Sequence, residues 1–178
     1  MQKELKIAGY AGIVMLASRF AFIIKGAMNE LSPSSEPSIL FEIVSPLLYA
    51  STVLFLIGFV LIGKLLKNKY LIISSCFLII GYILPPIYRL VSPEPSIMVG
   101  LIWELGVEYI GFITLVFGTN IMKLSDTYGS IATIIGILEI IIGCMLLIPS
   151  LEIIVLLVIL PSDILQVILL FKVAKKIE

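Results

Sequence analysis

Seven ionisable side chains interrupt the long apolar runs of this 178-residue sequence: Arg19, Glu42, Arg89, Glu104, Glu108, Glu139 and Asp163. Carboxylates and guanidiniums set among Leu, Ile and Phe can do three things. They can hold a cation, they can take up and release protons, or they can pair with one another as structural ions. Full ionisation of five acids against two arginines would leave three negative charges uncompensated in a medium of low dielectric. Either some carboxyls carry protons, or a cation or cationic ligand sits among them. Arg19 and Arg89 stay charged and are expected to pair with acids.

Other chemistry is excluded by what is missing. The chain has no histidine, which removes Ser-His and Cys-His nucleophile pairs and the usual imidazole metal ligands. Cys76 and Cys144 lie inside apolar runs, where they read as buried small hydrophobes rather than as a disulfide. No cofactor, metal or nucleic acid is called for. An intramembrane enzyme using Glu104 and Glu108 as acid and base ranks third among function classes, because no nucleophile motif accompanies them.

The elements that must position these charges follow from composition. Sixty per cent of residues are hydrophobic and 13% charged, against about 25% charged in soluble domains, and the mean hydropathy is +1.19. A hydrocarbon layer takes about 20 apolar helical residues to cross, and six such runs are present: 7–28, 39–63, 70–90, 97–122, 129–148 and 151–171. The expected fold is an all-α integral membrane protein, one transmembrane domain of six helices in a bundle over residues 1–178. The first run contains Arg19 and is followed by no cleavage site, so it reads as a permanent helix rather than a signal peptide.

The breaks between runs alternate. Residues 29–38, 92–96 and Pro149-Ser150 are rich in Pro, Ser and Glu, whereas 64–69 and 123–128 carry Lys. The N-terminus, the two Lys-bearing breaks and the C-terminus hold Lys3, Lys6, Lys64, Lys67, Lys69, Lys123, Lys172, Lys175 and Lys176. The opposite side has only Lys25 and Arg89. Cytoplasmic flanks carry the excess of Lys and Arg, so both termini are expected in the cytoplasm. The stretch from Lys123 to Lys176 resembles small prokaryotic six-helix membrane proteins, which implies a prokaryotic plasma membrane. Tyr10, Tyr70 and Tyr128 open the outward-running helices as interfacial anchors. Glu36-Pro37-Ser38-Ile39 recurs as Glu94-Pro95-Ser96-Ile97, which suggests three hairpins in parallel repeat, or else the ordinary use of Pro and Ser before a helix start.

Depth can be counted at 1.5 Å per residue. Glu42 and Arg89 fall within about 5 Å of the outer surface, Glu104 at about 10 Å, and Arg19, Glu108, Glu139 and Asp163 at about 13 to 18 Å. The first two would form the mouth of a pocket whose ligand- or proton-binding residues are Arg19, Glu104, Glu108, Glu139 and Asp163. Small residues share the faces of these charges: Ala8, Gly12 and Gly26 with Arg19, Gly111 and Gly118 with the two glutamates, and Gly129, Ala132, Gly136 and Gly143 with Glu139. Such faces permit close helix approach and are expected to point inward. Pro161-Ser162-Asp163 and Pro85-Pro86 mark either simple kinks or helix interruptions of the kind that build transport sites.

A small transporter, or a membrane-embedded solute-binding subunit, is the leading expectation, with a small polar or cationic solute as ligand. A structural or regulatory protein that binds a partner helix or lipid is second. In its size, its six runs and its internal termini, with Ala17-Ser18-Arg19-Phe20-Ala21 in the first, the chain resembles the vitamin-binding membrane subunits of energy-coupling importers. That resemblance implies a partner membrane subunit as well as the lipid bilayer.

Overall fold

The computed structural model describes the backbone of residues 1–31, 39–91, 97–148 and 151–177, and the side chains of 1–25, 43–84, 86–88, 105–148, 151 and 154–177. Among these residues all regular structure is helical: α1 (Gln2–Leu31), α2 (Ile39–Leu65), α3 (Lys69–Val91), α4 (Ile97–Met122), α5 (Ser125–Tyr128), α6 (Ser130–Leu146) and α7 (Glu152–Lys176). Helices answer the problem these sequences pose, since in hydrocarbon every backbone amide must find its partner within its own segment. Five of them are long and apolar enough to cross a membrane, consistent with a multi-pass helical membrane protein. The remaining apolar helix, α6, has 17 residues and reaches about 25 Å. Its run is shortened at the start by Gly129, whose φ of +76° breaks the path between α5 and α6, and at the end by a turn at Leu147. The Pro/Ser segments 32–38, 92–96 and 149–150 lie outside the described residues, as does the repeat built on them.

The α2–α3 turn shows how local chemistry sets an element boundary. Lys67 takes a left-handed conformation, φ +54°, and the Asn68 amide reaches back to the Gly63 carbonyl at 2.8 Å, closing the end of α2. Asn68 then caps α3, its side-chain oxygen accepting from the Leu71 amide at 3.0 Å.

The long helices form a ring in chain order. The main contacts run α1 to α2, α2 to α3, α3 to α4, α4 to α6 and α6 to α7, and α7 closes back on α1. Inside it, Phe55, Phe59 and Phe117 stack edge to face at centroid distances of 5.4 and 5.2 Å. Outside, large apolar side chains face the surroundings, Leu157 at 75% exposure and Ile43 at 63%. The polar residues go inward: Ser18, Ser51, Thr52, Ser74, Ser75, Thr114, Asn120, Ser162 and Gln166 are all buried.

Two sequence expectations are corrected by this partition. Cys76 and Cys144 are free and exposed on the outer faces of α3 and α6, because a small apolar side chain is as acceptable to lipid as to a core. Tyr128 is no interfacial anchor: it is 4% exposed within the core, with the Lys176 ammonium over its ring at 5.3 Å. Tyr10 and Tyr70 are exposed as expected.

The small-residue faces are helix contacts. An added Cβ on Gly118 of α4 would meet the Gly136 carbonyl oxygen at 2.8 Å, and one on Gly143 of α6 would meet the Gly111 carbonyl at the same distance. Gly111 with Gly143 and Gly118 with Gly136 therefore seat α4 against α6 at two points two turns apart. On α1, Gly12 admits Val167 of α7 and Phe55 of α2.

Candidate functional site

Arg19, Glu139 and Asp163 come together from three different helices around one internal cavity. Arg19 lies about 25 Å along α1, Glu139 about 13 Å along α6 and Asp163 about 17 Å along α7, counted at 1.5 Å per residue from each helix start. Each is thus well inside its helix. The Arg19 guanidinium forms an ion pair with Asp163 through Nη1 and Oδ2, and both side chains are largely buried. The Tyr82 hydroxyl of α3 faces the same guanidinium.

Glu139 has different company. Ser162 Oγ donates to its Oε1 at 2.5 Å and Gln166 Nε2 donates to the same oxygen at 2.7 Å. Gln166 Nε2 also lies 3.2 Å from Ser162 Oγ, so the three form a closed hydrogen-bonded triangle between α6 and α7. Both partners of Glu139 are neutral. Among the described residues, Asp163 takes the Arg19 ion pair and Glu139 takes hydrogen bonds from neutral donors with the Arg19 charge acting on it at longer range, so the site carries one negative charge in excess when both acids are ionised.

The cavity these residues line offers about 50 Å³ to the centre of a water-sized particle, room for a few waters or one small ion. Its other walls are Thr52 and Thr114 hydroxyls and the apolar side chains of Met15, Phe55 and Phe117. Proline 161 sits inside α7, which continues through it, one residue before the Ser162–Asp163 pair. A larger groove of about 490 Å³ between α2 and α3, walled by Tyr49, Val53, Leu54, Ile83 and Ile87, is open and almost wholly apolar, so it offers lipid contact and no site chemistry. Among the described residues, no group of three or more acidic or cysteine side chains is placed to hold a metal ion.

The expected site is therefore assembled in part. Glu108 does not belong to it: its side chain is exposed and does not line the cavity. At about 100° per residue, Glu108 lies some 60° beyond Gly111, whereas the cavity-lining Ile110, Thr114 and Phe117 lie 60° to 120° to the other side. The glycine stripe on α4 marks the contact with α6, and the pocket is one face further round. Arg19 forms its ion pair with Asp163, and Glu139 lies close enough to feel the same charge. The side chains of Glu42, Arg89 and Glu104 lie outside the described residues. Sequence reasoning missed Tyr82, Thr52, Thr114 and Gln166. Gln166 was findable, since a primary amide one helical turn beyond Ser162 in an apolar run needs a buried partner.

Comparison with protein-family models, curated proteins and solved structures gives no match to this chain.

Proposed function

We propose that this chain is a small membrane transporter, or the solute-binding membrane subunit of one, with Arg19, Glu139 and Asp163 as its central polar site. One observation carries the reading: a charged cluster with a carboxylate outside its ion pair lines a partly open cavity inside a ring of helices. Burying that charge costs several kcal/mol with no packing gain, and an intramembrane carboxylate of this kind is a ligand or proton site by default. The space among these side chains suits a small ion or a few waters.

A scaffold role is favoured by a separate observation. Among the described residues, no buried side-chain nitrogen or oxygen lacks a hydrogen-bond partner, as a purely structural network would also arrange. The two readings part on Glu139→Gln in proteoliposomes loaded with a pH indicator and with a cation indicator. Transport predicts ion movement by the original chain that the variant loses while remaining folded and monodisperse. A scaffold moves nothing in either form, and that result would end the transport reading.

The membrane arrangement that goes with this function has α6 as a sixth crossing and both termini in the cytoplasm, in keeping with the nine-to-two distribution of Lys and Arg. Parity makes this testable, because five crossings would put the termini on opposite sides. In a background with Cys76 and Cys144 replaced by Ala, single cysteines at Ser34 and Glu94 are expected to react with an impermeant reagent outside intact cells, and those at Lys3, Asn68 and Lys175 to be protected. Labelling at Lys175 alone among the protected three would remove α6 from the crossings. Labelling at Asn68 would reverse the orientation.

A further inference from the structure

The donors and acceptors around the cavity are not balanced. Thr52 Oγ1 donates its only proton to the Leu48 carbonyl at 2.7 Å, and Thr114 Oγ1 donates to the Ile110 carbonyl at 2.7 Å. Each hydroxyl therefore has only lone pairs to offer the cavity. The two amide protons of Gln166 are directed to Glu139 and Ser162, so its carbonyl is the group left over. Among the described residues, both hydrogen bonds to Glu139 fall on Oε1, and Oε2 remains as an acceptor. The strongest donor nearby, Arg19, is engaged by Asp163.

With Glu139 and Asp163 both ionised, an occupant of this cavity meets several oxygen lone pairs and a net charge of minus one, in a space of about 50 Å³. A small cation, which brings positive charge and has no acceptor requirement of its own, answers that arrangement. We infer that the cavity is a binding site for one small monovalent cation of the sodium, potassium or ammonium class, held by Glu139, Gln166, Thr52 and Thr114. A divalent ion fits the charge poorly, because the second carboxylate is already neutralised by Arg19. The inference deepens the transport reading and rests on the same cavity. Protons compete with the cation at Glu139, and the titratable groups facing it are Asp163 from α7, Arg19 from α1 and Tyr82 from α3. The cavity lining from α4 is Ile110, Thr114 and Phe117, none of which titrates.

The test is thermal unfolding of the purified chain in detergent, with sodium, potassium, ammonium or choline chloride at constant ionic strength, at pH 8 and pH 5. At least one small cation is expected to raise the melting temperature saturably over choline, with a weaker effect at pH 5. Glu139→Gln should abolish the difference. Thr114→Val, whose lost hydroxyl bond lies within its own helix, should raise the half-saturating concentration by about tenfold, and it supplies the comparison if the first variant fails to fold. Identical melting temperatures in all four salts, a pH effect with no cation preference, or a preference retained in Glu139→Gln would each overturn the inference. Saturable binding with no flux in liposomes would leave this site standing and remove transport. Flux without ion-specific stabilisation would do the reverse.

Discussion

Arg19→Met should be the most damaging single substitution in the interior, lowering stability by about 3 to 5 kcal/mol or preventing accumulation of folded protein. Methionine fills a similar volume, so lost packing is a minor part of the effect. What remains is Asp163, 5% exposed and without the one cationic partner it has among the described residues, beside a second carboxylate that takes no ion pair there. Asp163→Asn should be milder, because it leaves a charge on a long side chain that retains Tyr82 nearby. The double variant should recover part of the loss. A double-mutant cycle in detergent or lipid is expected to give an interaction energy clearly above about 0.5 kcal/mol for Arg19 with Asp163. Additivity within error would mean that the pair is not formed in the native bundle.

Gly136→Leu is the second large effect. A Cβ at this position would stand 2.6 Å from the Gly118 carbonyl oxygen and 2.9 Å from the Met122 amide nitrogen, both backbone atoms of α4. No rotamer change relieves such contacts, so the two helices must separate, and the cost belongs at the top of the roughly 1 to 3 kcal/mol usual for overpacking. Opening that seam also displaces Glu139, one turn further along the same face. Leu138→Ala is the control. Leu138 is only half-buried, and its loss should cost less than about 2 kcal/mol, below the range for fully buried leucines. Equal yields and melting temperatures for the two variants would show that α4 and α6 are not in backbone contact.

Much of the helical framework was legible in the sequence because each run had to be long, apolar and bounded by charge or proline. The run read as 39–63 is a helix from Ile39 to Leu65, and that read as 97–122 runs from Ile97 to Met122. The inward direction was harder to read. In a soluble protein the periodicity of apolar residues reveals the core, but here both faces are apolar. Phe55 and Phe117 are buried while Phe20 and Phe112 are 56% and 59% exposed, and nothing in the residue type separates them. Glycine spacing was the available substitute, and it succeeded for α6, where Gly136, Glu139 and Gly143 are all buried. It failed on α4, because a glycine stripe reports which helix comes close and leaves open where the cavity lies. The pairing of Arg19 with Asp163 needed the closure of α7 on α1, which joins the two ends of the chain and leaves no local trace.

That closure also sets an order of events during synthesis. Each long helix from α2 to α6 finds one neighbour already made, although α4 meets its main partner only when α6 follows. Arg19 and its counter-ion Asp163 stand 144 positions apart in the sequence, on the two helices that meet last around the ring. Until α7 packs against α1, Arg19 lacks the carboxylate with which it forms its ion pair in the finished bundle. The docking of α7 on α1 therefore closes the ring and neutralises the guanidinium in one step.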